Sequence, residues 1–425
     1  MNENIKVTHL ANGLTILTEK MPDLRSATIG IWLKKGSRHE PAALNGIHHF
    51  IEHAVFKGTA KRSALEIAIE SDRLGGNLDA FTSHESTGFV MKVVDKTLPQ
   101  TFDLLADMLI NPVFDEKEMR REQKVIIEEM KMVEDSPEEY LGELFNSAFF
   151  PNHPLGLPIE GTKKTVKTFD HEIIATFHRK VFTPDNLIVA AAGNVEHAQI
   201  VELSNKFFDV SSSFILPPSS FEAKPKLAAP ILLRKKPDLE QAHLIIAAPF
   251  VEAKSEKRYA AHLLTNIVGG GASSRLWQSV REKRGLAYSV GASAIAFHDC
   301  GVFSIYAGTS PAQLEKVVDL SINEMRRIVR KGVKPEELDL VKEQAAASIL
   351  FGLEDSSVRA AYLADNEITH GRQISPDETL ANLEKVTVEE VQAVAKEFFV
   401  TEKIALIALG NLNGFQIERS RLAVS

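Results

Sequence analysis

The most informative stretch of this sequence is Gly46-Ile47-His48-His49-Phe50-Ile51-Glu52-His53. In a helix, His49 and His53 are four residues apart and project from one face, with Glu52 beside them. Apolar neighbours and the turn signal Lys57-Gly58-Thr59 favour such a helix. Two imidazoles and one carboxylate then point toward a common centre, as in a metal site that carries its own base.

His48 is a poor ligand candidate, because it lies five residues before His53 and this spacing turns the two side chains to different faces. The alternative for all three histidines is an ordinary polar role on a half-buried helix, the commoner role of any single histidine. The complete His-x-x-Glu-His pattern argues against it, since chance produces the pattern in roughly a few per hundred chains of this length.

A catalytic zinc normally has three protein ligands and a fourth position for water, so a third ligand is expected on another element. Residues 115–133 have the pattern of a long helix, in which Glu122 and Glu129 are almost two turns apart and face the same way. Apolar neighbours predict that this face is buried, and a metal would give its carboxylates the partners that burial requires. The alternative, in which all these glutamates form a solvated face, fits Glu116, Glu118 and Glu128 better than Glu129.

The motif residues 46–59 resemble the signature of the pitrilysin and insulin-degrading-enzyme metallopeptidases, specifically of their mitochondrial-processing-peptidase-like, bacterial-type subgroup. The inverted order, with Glu next to the second His, separates the pattern from thermolysin-type zincins. Residues 75–87 resemble the family's substrate-edge strand, and residues 121–130 resemble its distal-glutamate helix. The resemblance covers essentially the whole chain.

The resemblance implies that His49, His53 and Glu129 bind one zinc ion per chain, supported by the carboxylate of Glu122. Glu52 would act as general base toward metal-activated water and would later pass the proton to the leaving amine. The expected reaction is the hydrolysis of a peptide bond.

The resemblance also implies that Ala80, Phe81 and Thr82 belong to an edge strand on which an extended peptide is laid. Main-chain pairing of this kind suits short peptides or unfolded protein segments and makes folded proteins poor substrates. The chain departs from the family at Asp79, where Asn is usual, and this adds a negative charge near the expected site.

The sequence is internally duplicated. Pro22-Asp23-Leu24 recurs as Pro237-Asp238-Leu239, and Gly193-Asn194 recurs as Gly410-Asn411, about half a chain apart in each case. The 425 residues are too many for one core, so two related domains are expected. They are predicted as residues 1–212, which carry the zinc site, and residues 229–425, joined by a linker at 213–228.

Each half alternates strands with helices, which predicts an α+β fold. The resemblance refines this to two homologous domains, each a mostly antiparallel sheet backed by helices. Aligning the halves brings His262 and Asn266 opposite His49 and His53, and brings Leu350 opposite Glu129. The second half therefore lacks the base and two of the ligands, and only the first can carry the metal.

Residues 269–276 and 281–288 resemble the family's glycine loop and its Arg/Tyr substrate pair, which fall here on Arg281 and Tyr288. The pair would hydrogen-bond the substrate carbonyl or the developing oxyanion. Without the resemblance, the glycine run would be a flexible loop and Tyr288 a core aromatic residue. The run lacks the Gly-Lys-Ser/Thr ending of a phosphate-binding loop.

Composition excludes several other classes of protein. The net charge of −8, with no basic cluster, disfavours nucleic acid as a partner. The sequence has no signal-like start and no bilayer-length apolar run, so a cytoplasmic protein without membrane contact is expected. The single cysteine, Cys300, cannot form an intrachain disulfide, and its expected role is a small core residue.

These observations predict a zinc-dependent metalloendopeptidase. One alternative is a non-catalytic or partner-dependent processing-peptidase-like subunit, which intact Glu52 and Glu129 argue against. Another is the chemistry of the autoinducer-synthesis enzyme, which has a related fold and also uses His-x-x-Glu-His, but that enzyme is a short single domain with a catalytic cysteine. Relatives built from four such domains imply a homodimer, with a heterodimer of related chains as the alternative.

Overall fold

The computed structural model describes residues 4–208 and 224–424. The strands in these ranges are β1 (Ile5–His9), β2 (Thr15–Lys20), β3 (Ser26–Leu33), β4 (Asn77–Thr82), β5 (Thr87–Val94), β6 (Leu187–Gly193), β7 (Ile231–Lys235), β8 (Ala242–Phe250), β9 (Ala287–Ala296), β10 (Gly301–Thr309) and β11 (Ala405–Gly410). The α-helices are α1 (Ile47–Ala54), α2 (Ala64–Leu74), α3 (Leu98–Ile110), α4 (Glu116–Asp135), α5 (Pro137–Phe149), α6 (Lys163–Val166), α7 (His171–Val181), α8 (His197–Phe208), α9 (Arg258–Gly269), α10 (Leu314–Lys331), α11 (Pro335–Gly352), α12 (Ser356–His370), α13 (Pro376–Lys385) and α14 (Val388–Phe398). Across these ranges no helix combines the length and apolar character needed to cross a membrane.

The chain forms two compact units, and each includes a segment from the opposite half of the sequence. Within the described ranges, the first unit comprises residues 4–131, 157–208 and 350–375, and the second comprises residues 132–156, 224–349 and 376–424. Most of the linker predicted at 213–228 lies outside the described residues.

The sheet of the first unit has the strand order β1-β2-β6-β3-β5-β4. Its β2 and β6 are parallel, and its other neighbours are antiparallel. At one end of the sheet, β4 pairs with β5 in a register that runs from Asn77↔Lys92 to Thr82↔Thr87. The other edge of β4 has no strand partner in this sheet, so its main-chain groups are available to an added strand.

Helices cover both faces of the first sheet. Along β6 the buried side chains alternate, so that Val189 belongs to the core beneath α1 and α3 while Ile188 packs with Leu363 of α12 on the opposite face. Arg359 of α12 also donates a buried hydrogen bond, 2.7 Å long, to Glu19 of β2. Burial of both faces explains why β6 is continuously apolar.

The sheet of the second unit repeats this topology. Its order β7-β11-β8-β10-β9 reproduces the order β2-β6-β3-β5-β4, including one parallel pair. The registers also coincide, because Ala27 faces Gly193 in the first sheet and Ala242 faces Gly410 in the second. Both glycines have a positive φ, 119° and 128°. A Cβ at either would lie 2.5 Å from a backbone carbonyl oxygen, which explains the repeated glycine.

In the second unit, α5 covers the sheet face that α12 covers in the first. Phe149 of α5 belongs to a buried cluster with Ala247 of β8 and Ile407 of β11. The opposite face, with Leu406 of β11, packs in the core that also holds residues of α9, α10 and α14. The predicted fold class, an α+β chain of two homologous, mostly antiparallel sheets backed by helices, is confirmed. Buried Cys300 confirms its expected core role.

Candidate metal centre

The start of α1 is fixed by a carboxylate that precedes it. Glu40 accepts hydrogen bonds from the backbone N–H groups of Gly46, at 2.7 Å, and His48, at 2.8 Å. The Nδ1 atom of His48 lies 3.0 Å from the same carboxylate, and both side chains are buried. Gly46 has φ +95°, a left-handed conformation that favours glycine. His48 is therefore part of the helix N-terminus and packs away from the other two histidines.

On the opposite face of α1, His49 and His53 lie beside Glu129 of α4. One ligand atom from each of these side chains lies within 4.8 Å of the other two. The imidazole centroids are 4.7 Å apart, and His53 Nε2 lies 3.6 Å from Glu129 Oε2. All three groups belong to the first unit, and all are partly accessible.

The long helix predicted over residues 115–133 is α4, and it begins where Asp115 Oδ1 accepts hydrogen bonds from the next turn. The face that it turns to the core of the first unit carries Met119, Glu122 and Ile126, and Glu129 continues that face by one further turn. Helical spacing therefore brings two carboxylates, one buried and one half-buried, to the same side as the histidines.

Glu122 contacts both a histidine and a lysine. Its Oε2 atom lies 3.3 Å from His53 Nδ1, and its Oε1 atom lies 2.9 Å from Lys57 Nζ. Burial raises the pKa of Glu122, but the hydrogen bonds from His53 and Lys57 outweigh burial and lower the pKa below its usual value. Glu122 is thus held as a carboxylate in contact with the His53 ring.

Glu52 accepts a hydrogen bond from Thr82, the last residue of β4, with 2.6 Å between Thr82 Oγ1 and Glu52 Oε2. Burial raises the pKa of Glu52 and outweighs the Thr82 hydrogen bond and the charge of His53, which lower it, while the charge of Glu129 raises it further. Glu52 directly precedes His53 in the sequence. A carboxyl group with a raised pKa at this position has the chemistry of a general base or acid.

Electrostatics around the histidines follow from burial and from the crowding of carboxylates. Burial, and then the charge of His53, lower the pKa of His49 to about 4, so its ring is neutral at neutral pH. Burial also lowers the pKa of His53, but hydrogen bonding to Glu122 and the charge of Glu129 outweigh it and raise the pKa overall. Burial raises the pKa of Glu129.

Two buried polar atoms of this group fit a bound cation. Within residues 4–208 and 224–424, neither His49 Nδ1 nor Glu129 Oε2 has a hydrogen-bond partner. A buried oxygen with no donor is costly, and a cation would remove that cost. Two imidazoles and one carboxylate form a donor set that suits zinc.

The residues predicted to bind substrate lie on β4 at the sheet edge. Ala80 and Thr82 are half-buried and face the core side, whereas Asp79 and Phe81 are exposed on the other side. Asp79 Oδ1 accepts a hydrogen bond from the Asn77 side chain at 2.6 Å. The strand therefore has one face toward Glu52 and one toward solvent.

Arg281 and Tyr288 lie together in the second unit. Arg281 lies in the last turn of a π-helical segment, Trp277–Glu282, and its guanidinium lies 4.0 Å from the Trp277 ring centroid and 4.9 Å from the Tyr288 ring centroid. Tyr288 is 80% exposed, so the interpretation of it as a core aromatic is wrong. A guanidinium and a phenol held side by side offer two kinds of hydrogen-bond donor to a ligand oxygen.

The helix α9 occupies in the second unit the position of α1 in the first, directly after the matching central strand. Its His262 and Asn266 side chains contact one another, with 3.0 Å between His262 Nε2 and Asn266 Nδ2. Leu350, which the alignment of the halves places opposite Glu129, is half-exposed near the end of α11 and belongs to the first unit. In α9 an amide, Asn266, thus occupies the position four residues after the histidine that His53 occupies in α1.

Sequence reasoning missed three contacts: Lys57 with Glu122, Thr82 with Glu52, and Glu40 with the start of α1. Lys57 follows His53 by four residues, about one helical turn, and this spacing was a signal for the contact between Lys57 and Glu122. The other two depend on loops and strand pairing, for which the sequence offers no comparable spacing.

Two family models match the chain. One, described as insulinase (peptidase family M16), matches residues 15–163. The other, described as peptidase M16 inactive domain, matches residues 168–345. All the residues of the metal centre thus fall in the first match, and Arg281 and Tyr288 fall in the second.

Curated relatives match nearly the whole chain. A protein of Streptomyces coelicolor described as an uncharacterized zinc protease is 38% identical, covering 99% of this chain and 93% of the relative. The uncharacterized zinc protease YmxG of Bacillus subtilis is 37% identical, covering 93% of this chain and 95% of the relative.

Solved structures share the fold. A protease from Helicobacter pylori has a TM-score of 0.87 at 23% identity, covering 96% of this chain and 99% of that chain. A structure described as the peptidase M16 inactive domain from Pseudomonas fluorescens has a TM-score of 0.89 at 19% identity, covering 96% and 98%.

Proposed function

The chain belongs to peptidase family M16, and from this premise we propose that it is a zinc-dependent endopeptidase that cleaves peptides or unfolded protein segments. The observation that carries the proposal is the convergence of His49, His53 and Glu129 beside Glu52, with ligand atoms of the first three within 4.8 Å of one another. Relatives described as zinc proteases support the choice of metal and reaction.

In this proposal His49, His53 and Glu129 hold one zinc ion per chain. A zinc ion bound there would polarise the scissile carbonyl and lower the pKa of a bound water. Glu52 takes a proton from the attacking water on its carboxylate and delivers it to the nitrogen of the leaving amine. Glu122 holds the Nδ1 atom of His53, so that the Nε2 atom of His53 stays directed toward Glu129 and the proposed metal.

The substrate is proposed to add to the free edge of β4 as an extended strand, along Ala80, Phe81 and Thr82. The support is that β4 ends the sheet and that its last residue contacts Glu52. Main-chain hydrogen bonds would then hold the peptide close to the base irrespective of its sequence.

Arg281 and Tyr288, in the predicted second domain at 229–425, are proposed to hydrogen-bond the substrate carbonyl or the oxyanion. The exposure of Tyr288 and its stacking with Arg281 support this role, because both donors are accessible and held in place. The metal chemistry is assigned to the predicted first domain, residues 1–212.

We further propose that two copies of the chain associate, and the alternative is a pair with a related chain. Sedimentation of the purified protein tests this, since a homodimer sediments at twice the chain mass of 46.9 kDa. A monomer that is fully active would contradict both forms of the assembly.

The function is tested by zinc analysis of the purified protein together with digestion of a library of unstructured peptides. Glu52→Gln is expected to keep about one zinc per chain and lose most peptidase activity, whereas His49→Ala and Glu129→Gln lose the zinc as well. Activity undiminished in Glu52→Gln would contradict the mechanism. Zinc binding without cleavage, restored to cleavage by a related chain, would favour a partner-dependent subunit.

A further inference from the structure

We propose that Thr82 is a positioning residue that orients Glu52 for proton transfer, so that the strand offered to the substrate also aligns the base. The proposal rests on the proposed peptidase function. Its central observation is the 2.6 Å hydrogen bond from Thr82 Oγ1 to Glu52 Oε2.

The position of Thr82 is set by the sheet. Thr82 is directly opposite Thr87 of β5, and β5 is itself paired with the central strand β3. Leu78 and Ala80 lie on the same face of β4 as Thr82 and pack against the core that includes α1. A β-branched side chain has a restricted χ1 angle. The hydroxyl is therefore held by backbone pairing and packing, with little freedom of its own.

Glu52, by contrast, depends on a partner for its orientation. A glutamate has three side-chain torsions, and the terminal torsion is broad. Among residues 4–208 and 224–424, the hydrogen bond that Glu52 accepts comes from Thr82. With Oε2 held by the hydroxyl, Oε1 is left to accept the proton of the attacking water. Loss of the bond would let the carboxylate rotate without removing any proposed metal ligand.

This arrangement gives β4 two tasks. Its free edge is available to the main chain of a peptide, and the side chain at its end holds the base. A peptide that pairs with β4 is thereby placed against the strand that sets the carboxylate. Alignment of the base and alignment of the substrate thus share one rigid element.

Two substitutions at Thr82 and one substitution at the neighbouring Thr87 test the proposal. Thr82→Val removes the hydroxyl and keeps the shape, and Thr82→Ser keeps the hydroxyl. Thr87→Val is the matched control, because Thr87 is the cross-strand partner of Thr82 and donates its hydroxyl to the Lys35 carbonyl at 3.2 Å, away from Glu52.

Kinetics should separate the variants. Thr82→Val is expected to lower kcat by about ten- to one-hundredfold, with KM and zinc content unchanged, because the bond to a carboxylate is among the stronger hydrogen bonds. Thr82→Ser should recover most of the kcat that Thr82→Val loses, and Thr87→Val should retain kcat even if its melting temperature falls. A Thr82→Val variant that keeps its kcat, loses zinc, or changes only KM would overturn the proposal.

Crystal structures of the wild type, Thr82→Ser and Thr82→Val provide a readout that does not need activity. The Glu52 carboxylate should superpose in the first two and be rotated or in several conformers in the third. If the wild type cleaves no peptide, the proposed peptidase function fails, and these structures still decide whether Thr82 orients Glu52. An unchanged carboxylate in Thr82→Val would refute that role.

Discussion

The carboxylate of Glu122 contacts the His53 ring at Nδ1, the nitrogen that does not lie beside Glu129, with 3.3 Å between Glu122 Oε2 and His53 Nδ1. Glu122→Gln should therefore weaken zinc binding by about ten- to one-hundredfold, because an amide is a poorer acceptor and fixes the ring less well. Competition with a coloured chelator would measure the affinity. Glu128→Gln is the matched control, since Glu128 lies on the same helix but is exposed and paired with Lys131. Equal affinities in the two variants would contradict the supporting role of Glu122.

Asp79 is expected to favour cationic side chains in the substrate. It is exposed on β4, and its side chain is bonded to Asn77. An opposite-charge pair across neighbouring strands contributes about 0.2–1 kcal/mol, so Asp79→Asn should reduce the preference for Lys over Gln by roughly 1.5- to 5-fold in kcat/KM. Peptides in which a single Lys is moved along the sequence would measure it. Asp23→Asn, the same change in the exposed turn after β2, should leave the preference intact; a preference for Lys that survives in Asp79→Asn would contradict this prediction.

His262→Ala should leave the zinc content at about one per chain. The His262 ring contacts Asn266 in α9, and the sequence alignment of the halves places Leu350 where a third ligand would be needed. His49→Ala provides the comparison, because it should remove the zinc. Zinc analysis of both variants by atomic absorption decides the matter, and a second zinc that depends on His262 would mean two sites per chain.

His178 should make the protein less stable in mild acid. Burial lowers its pKa to about 4, while its Nε2 atom lies 2.9 Å from the Leu109 carbonyl oxygen and its ring stacks on Phe182. Above the unfolded pKa of 6.5 neither state binds the proton, so the full stability is present. As the pH falls toward 4, the unfolded state is protonated first, and up to about 3 kcal/mol of unfolding free energy is lost.

Urea unfolding of the zinc-free protein at pH 7 and pH 4.5 would measure this loss without interference from metal release. His178→Gln keeps an amide donor and does not titrate, so it should be less stable than wild type at pH 7 but lose less stability between the two pH values. Identical losses in the two proteins would show that His178 does not contribute to acid sensitivity.

The sequence by itself determined the features that depend on local spacing. The four-residue interval between His49 and His53 and the seven-residue interval between Glu122 and Glu129 place each pair on one helical face, whatever surrounds the helix. The repeated Gly193 and Gly410 revealed the duplication, because both require the same left-handed backbone at the same register of the sheet. Helical periodicity and backbone sterics act over a few residues, so they can be inferred before any fold is known.

Tertiary structure alone decided which elements meet. The packing of α12 on the first sheet and of α5 on the second joins residues far apart in the chain, and both helices have an apolar side that would suit many partners. The hydrogen bond from Thr82 to Glu52 likewise depends on where β4 lies beside α1, and no spacing in the sequence specifies that. Burial of apolar surface is non-directional, so the sequence marks which faces are buried but only the folded chain selects what covers them.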